Sequence, residues 1–297
     1  MKKFNKIVIL QKTGIESFAL DELEKISNKV VVYVDPPKSN NEIIERCKDA
    51  DCVLITFTSK LDASVINSLP KLKHIGLCCS LYDDESANVD LSMCRQNNIA
   101  VSGVSEYGDD GVIEFIISEL TRLLLGTGDN MFYEEPAELK SLKMGIVGLG
   151  SLGKKVAKTL TCFDMNISYY GRTKQNSVSY PYKGLDKLLI DSDVISLHLP
   201  RNTIVINEAE FNLMKGPKIL IDTGVGSSFD EKSFEQWIKD EEHFAIFDTA
   251  SVSNQFIEQY KHNTRVMINK RVSGFTINAR ERLSSQVISN LKTHLSN

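Results

Sequence analysis

Short apolar runs rich in β-branched residues alternate with amphipathic segments along the whole chain. In the first third the apolar runs fall at residues 6–10, 30–34, 52–56, 74–77 and 99–101, and segments of helical period lie between them at 16–26, 41–47, 62–69 and 90–96. Runs this short and this continuously apolar predict strands buried on both faces. Their strict alternation with helices predicts a parallel sheet covered on each side. Pro36, Pro37 and Pro70 fall between elements, where a missing N–H costs least. Residues 111–125 read as one long helix, because Val112, Phe115, Ile116, Leu120, Leu123 and Leu124 recur at helical spacing. A polar, turn-like stretch follows. A second alternating series then places strands at 144–147, 167–170, 194–197, 219–221, 244–247 and 266–268, and a last helix over 276–294. The pattern predicts an α/β chain with one domain over 1–105 and another over 106–275. The terminal segment 276–297 is open to a return to the first.

Composition agrees with that picture and narrows the function classes. The 297 residues suit two domains at roughly 150 each. With 42% hydrophobic and 25% charged residues the chain is neither disordered nor fibrous. A net charge of −4 offers no electrostatic footprint for nucleic acid or an anionic membrane. No apolar run approaches the length of a membrane span, and the run at 7–10 is too short for a signal peptide. The six cysteines form no Cys-x-x-Cys pair and the five histidines show no ligand spacing. No metal is expected, and the cysteines are expected as reduced thiols of a cytoplasmic protein.

The strongest local signal is Gly148-Leu149-Gly150-Ser151-Leu152-Gly153, which follows an apolar strand and opens a helix over 151–163. In that context Gly-x-Gly-x-x-Gly is a dinucleotide fingerprint. Gly148 permits the tight turn, Gly150 lets backbone approach a pyrophosphate, and Gly153 lets helix pack on strand, with the N–H groups of the helix start facing the anion. After the next strand comes Gly171-Arg172-Thr173-Lys174. A carboxylate there would bind a ribose 2′-hydroxyl and repel a 2′-phosphate. Two cations and a hydroxyl instead favour NADP over NAD.

Beyond these motifs the whole chain resembles the D-isomer-specific 2-hydroxyacid dehydrogenase family. The segments KDADCVLIT at 48–56, LDA at 61–63, LPKLKHIG at 69–76 and NVDL at 88–91 look like that family's substrate domain. IAVSGV at 99–104 and YGDDGVIE at 107–114 look like its interdomain crossing, and SLHLP at 196–200 and MKGPKILIDTG at 214–224 like the strands that line its cofactor. The resemblance implies a flavodoxin-like substrate domain joined to a Rossmann-like, doubly wound cofactor domain. It also implies an active site in the cleft between them, a small 2-hydroxy or 2-oxo acid as substrate, and a homodimer built through the cofactor domain. It carries cofactor contacts onto Leu199, Pro200, Thr223, Gly224 and Asp248.

The family's chemistry uses an Arg for the substrate carboxylate, a His that exchanges the hydroxyl proton, and a Glu that orients the His. By the same resemblance those positions hold Val225, Ser253 and Arg271. Valine cannot form a bidentate fork, serine cannot polarise an imidazole, and a guanidinium does not shuttle protons near neutrality. Three readings follow. One is an NAD(P)-dependent oxidoreductase with an atypical site, in which Arg271 presents charge to a substrate anion and the proton comes from water, Tyr82, His262 or Glu258. Another is a catalytically silent NADP-binding homologue that serves as a sensor or partner subunit. The third is a purely structural homologue that no longer binds dinucleotide, and the intact glycine turn argues against it.

Overall fold

In the computed structural model the first five apolar runs form one parallel sheet: β1 (Ile7–Ile9), β2 (Val30–Val32), β3 (Cys52–Ile55), β4 (His74–Ser80) and β5 (Ala100–Val104). The structure describes residues 2–81, 84, 87–201 and 203–296, Ser141 by its backbone alone. The strand order β2-β1-β3-β4-β5 is the flavodoxin-like 2-1-3-4-5. Helices α1 (Ser17–Lys25), α2 (Asn40–Cys47), α3 (Ala63–Asn67) and α4 (Leu91–Gln96) connect the strands. Side-chain alternation sorts the strand residues onto two faces. Val8, Val53, Ile55, Ile75 and Leu77 pack under Ile43, Val65, Ile66 and Cys94 of α2, α3 and α4. Ile7, Ile9, Cys52 and Leu54 lie on the other face, with Ala19 and Leu23 of α1. Ser39, Asp62 and Asp90 cap α2, α3 and α4 by accepting from backbone N–H groups one turn in, so these helices begin where a short acceptor side chain precedes an amphipathic run.

The second sheet has six parallel strands: β6 (Lys143–Val147), β7 (Asn166–Tyr170), β8 (Val194–Leu197), β9 (Lys218–Asp222), β10 (His243–Phe247) and β11 (Val266–Ile268), in the order β11-β10-β9-β8-β6-β7. The long helix α5 (Asp109–Leu125) precedes it and stops at Gly126, whose φ of 63° is a left-handed helix cap. Helix α6 (Ser151–Thr161) follows β6, and α7 (Leu185–Asp191), α8 (Glu208–Leu213), α9 (Glu231–Trp237) and α10 (Asn254–Tyr260) fill the later crossovers. Met144, Ile146, Ile219 and Ile221 face α5 and α6. Val147, Leu197, Leu220 and Phe247 face an aromatic layer of Phe211, Phe229, Phe234 and Phe256. The last helix, α11 (Ile277–Ser296), lies on the first sheet, with Leu283, Val287, Leu291 and Leu295 in the same core as Ile7 and Leu54. The chain thus divides into two compact units, 2–107 with 276–296 and 108–275.

Two strands differ from the sequence pattern. β4 runs to Ser80 rather than 77, because Cys78 and Cys79 are themselves core residues, 2% and 6% exposed. β5 extends to Val104 alongside it, past an irregularity in register between Gly76 and Ser80. Cys47, Cys52, Cys78, Cys79 and Cys94 are buried free thiols and Cys162 is exposed. Among the described residues, no helix is long and apolar enough to cross a membrane, and no group of three or more His, Cys, Asp or Glu could hold a metal ion.

Candidate functional site

The strands of the second sheet are parallel, so the connections that leave their carboxyl ends share one edge. From β6 the chain moves outward to β7 and then crosses back to β8 on the other side, so the edge beside β6 is the topological switch point, where ligands of such sheets bind. The glycine turn lies there. Gly148 has φ +95°, and a Cβ on it would come within 2.2 Å of the His198 carbonyl oxygen. A Cβ on Gly153 would come within 2.3 Å of the Gly148 carbonyl oxygen. These two glycines are required by the chain's own packing. Gly150 is different, since a Cβ there meets nothing within 4 Å. It is the N-cap of α6, contributes no side-chain acceptor, and is followed by a first turn without an acidic residue. The first backbone N–H groups of a helix lack intrahelical partners and carry its positive dipole end, so this geometry suits an incoming pyrophosphate. Ser151 and Leu152 form that first turn.

Gly171, Arg172, Thr173 and Lys174 leave β7 next to this turn, and the last three are exposed. Gln175 fixes them in place. Its Nε2 donates to the Leu149 carbonyl at 2.8 Å, and its N–H donates to the Tyr169 hydroxyl at 2.8 Å. That hydroxyl in turn donates to the Gln175 carbonyl at 3.3 Å. Tyr169 is 1% exposed and packs edge-on against Tyr182, whose hydroxyl donates to the Gly171 carbonyl. The loop bearing two cations is therefore tied directly to the glycine turn. The sequence gives no pattern for Gln175, a polar residue in a polar loop.

After β8, the His198 ring bonds through Nε2 to Ser196 Oγ at 3.0 Å, and burial pushes its pKa down to about 4. Its Nδ1, and Oγ1 of Thr223 at the matching place after β9, are buried without a hydrogen-bond partner among the described residues. Leu199 and Pro200 follow His198, half-buried and exposed. Asp222 ends β9 fully buried. It accepts from the N–H groups of Gly224 and Ser228, each at 2.9 Å, and burial raises its pKa to about 7 against those bonds. Asp248, at the end of β10, is 1% exposed. One of its oxygens accepts from the Ala250 N–H at 2.9 Å, and the other from the Ser273 N–H at 2.7 Å and the Ser273 hydroxyl. It thereby pins residues 269–275 to the neighbouring strand. Buried polar atoms are rarely left unpaired. The two orphans, just after β8 and β9, together with the open space at Gly150, are what a polar cofactor would complete.

Comparison with known proteins agrees with this geometry. The family model described as D-isomer specific 2-hydroxyacid dehydrogenase, NAD binding domain, matches residues 126–268. A glyoxylate reductase of Thermofilum pendens is 28% identical over 284 residues, covering 86% of this chain and 82% of that protein. Over nearly its whole length the chain is similar to the D-isomer-specific 2-hydroxyacid dehydrogenase family. Its fold recurs in the NAD⁺-bound 3-phosphoglycerate dehydrogenase of Entamoeba histolytica, with a TM-score of 0.78, 24% identity, and coverage of 99% and 96% of the two chains. It also recurs in an acyclic imino acid reductase in complex with NADPH and D-Arg, with a TM-score of 0.79, 24% identity, and coverage of 98% and 97%. Members of this family are NAD(P)-dependent oxidoreductases.

Within this 2-hydroxyacid dehydrogenase fold, Val225 lies 42% exposed on the turn after β9. Ser253 is the N-cap of α10 and accepts from the Phe256 N–H at 3.1 Å. Arg271 is exposed on the segment held by Asp248. His262 is not near them, which corrects its candidacy as a proton source. It precedes β11, at the amino edge of the sheet, on a cavity of about 340 Å³ that it shares with Arg122, Asn130 and Lys261. Glu258 lies near that same end of α10, ion-paired with Lys261 at 2.6 Å. Parallel strands put amino and carboxyl edges a full strand apart, a separation that nearness in sequence conceals. Tyr82 lies outside the described residues.

Proposed function

We propose that the chain is an NADP-preferring oxidoreductase acting on the carbon beside the carboxylate of a small acid, as in the family's interconversion of 2-oxo and 2-hydroxy acids, through an atypical site. The glycine turn carries the reading: its own packing requires Gly148 and Gly153, whereas Gly150 faces open space at a helix start. The backbone of Gly150, Ser151, Leu152 and Gly153 holds the pyrophosphate. Arg172, Thr173 and Lys174 receive the 2′-phosphate, with Gly171 as the turn that brings them round. Leu199, Pro200, Thr223 and Gly224 line the nicotinamide end, and Asp248 holds Arg271 in place beside it. When bound, the cofactor supplies the hydride. Arg271 offers charge to the substrate carboxylate, and Val225 and Val272 offer apolar surface. The similarity to a glyoxylate reductase supports a small 2-oxo acid. Assembly as a homodimer through the second unit belongs to the same reading.

Thermal unfolding with NADPH and with NADH tests the first half. A ligand at a hundred times its Kd stabilises the folded state by about 2.7 kcal/mol, so NADPH should raise Tm clearly and NADH less. Failure of both to raise it overturns the reading. The second half is tested by the triple variant Val225→Arg, Ser253→Glu, Arg271→His, with NADPH stabilisation as the check on its fold. Turnover of glyoxylate, hydroxypyruvate or pyruvate should rise in the variant. Equal turnover in the parent would show that the parent's proton chemistry is intact. NADPH stabilisation without turnover of any acceptor supports a silent, cofactor-holding role.

A further inference from the structure

The residues at and just beyond the carboxyl ends of β8, β9, β10 and β11, 198–201, 222–228, 248–253 and 269–275, carry six described ionisable side chains: His198, Arg201, Asp222, Asp248, Lys270 and Arg271. The three that could pass a proton present only buried or bonded atoms. His198 is bonded to Ser196 through Nε2, its Nδ1 is the buried orphan described above, and burial lowers its pKa to about 4. Asp222 accepts from Gly224 and Ser228, and Asp248 from Ala250 and Ser273. The Ser253 hydroxyl is committed to the start of α10. The other three, Arg201, Lys270 and Arg271, are exposed cations, suited to a carboxylate. Beside them Val225, Val272 and Phe275 are each more than 40% exposed, an apolar wall for a side chain.

Reduction of a carbonyl needs a hydride and a proton on oxygen. Reduction of an iminium needs only the hydride, because the nitrogen already carries the charge. We infer that this site takes a 2-iminio acid, the protonated C=N counterpart of a 2-oxo acid, as its hydride acceptor. The inference rests on the reading that the second unit holds a reduced nicotinamide dinucleotide. C2 of the iminium accepts the hydride, and the C=N π pair becomes the lone pair of the product amine. The oxidised dinucleotide is released, and the amine takes a proton from water. Arg271 and Lys270 bind the carboxylate, and no side chain changes protonation state.

The test uses the intact protein with NADPH. One acceptor is a cyclic 2-imino acid, whose C=N persists in water; the other is a 2-oxo acid of similar size, alone and with added ammonia or methylamine. A positioned general acid contributes about 10²–10⁴-fold, so kcat/KM for the cyclic imine should exceed that for the 2-oxo acid alone by about a hundredfold or more. Added amine should rescue the 2-oxo acid. Calorimetry in the presence of NADP⁺ gives a readout without turnover: a 2-amino acid should bind, and the matching 2-hydroxy acid should bind more weakly. Comparable kcat/KM for both acceptors, or tighter binding of the hydroxy acid, would overturn the inference while leaving the dinucleotide reading intact. Absence of NADPH stabilisation would bring down that reading itself.

Discussion

Adding one methyl group at Gly148 or at Gly150 puts two different questions to the same turn. At Gly148 the methyl meets a carbonyl oxygen and a left-handed φ, so Gly148→Ala should lose about 1–3 kcal/mol in urea unfolding. Gly150 has φ −75° and open space ahead, so Gly150→Ala should unfold like the parent. Its NADPH affinity should nevertheless fall by about tenfold, or about 1.4 kcal/mol. A matching loss of stability at Gly150 would show that the space is structural. The spacing of the three glycines was legible in the sequence because two of them, Gly148 and Gly153, answer to the close packing of the turn. The stop behind Gly148 was not, because His198 supplies it through its main-chain carbonyl, from just past a strand some fifty positions away in sequence. His198 stood in plain view in SLHLP, yet its contact with the turn leaves no mark on residue type.

Caps and clamps act one level up, on whole elements. Ser253→Ala removes the N-cap of α10 and should lower stability by about 1 kcal/mol in urea, with NADPH affinity unchanged. If the variant loses cofactor affinity instead, Ser253 does more than start a helix. Gln175→Ala frees the 172–174 loop from the Leu149 carbonyl. It should weaken NADPH by about fivefold, the worth of roughly one hydrogen bond, and leave NADH nearly unchanged. Equal weakening of both nucleotides in a titration would assign Gln175 to the turn rather than to the loop. Strands and helices were readable because their apolar periods differ. The end of β4 was harder to read, since Cys-Cys-Ser looks like the close of a strand while both thiols are buried. His262 failed as a candidate for a related reason: a linear sequence does not say which edge of a parallel sheet a loop occupies.

Across the whole molecule, pH bears on how the last helix is held. His74 of β4 is 2% exposed and bonds through Nε2 to Ser102 Oγ at 2.9 Å. Its ring meets that of His294 on α11 at 4.5 Å, and Phe4 stacks on His294 at 5.7 Å. Lys2 and Lys73 are the nearby cations. Burial, then the neighbouring His294, pushes His74 down to about 4. Burial, then Lys2 and Lys73, lowers His294. Both folded-state pKa values lie below the unfolded value of about 6.5, so the folded state favours the neutral rings. That stability is fully present above about pH 6.5 and is lost as pH falls through about 4. Urea midpoints measured from pH 7.5 down to 4 should fall, and His74→Phe should flatten the decline. An unchanged slope would show that other groups govern it.

Helix α11 also orders events during synthesis. Its Leu283, Val287 and Leu291 cover a face that includes Ile7, Ile9 and Leu54, residues translated long before it. The growing chain must leave that patch uncovered until α11 has been made, while residues 108–275 already have everything their own sheet needs. A ribosome-bound chain halted at residue 275 should therefore expose an apolar patch on its earliest-made portion, one that holdase chaperones would engage. Emergence of α11 would end that engagement.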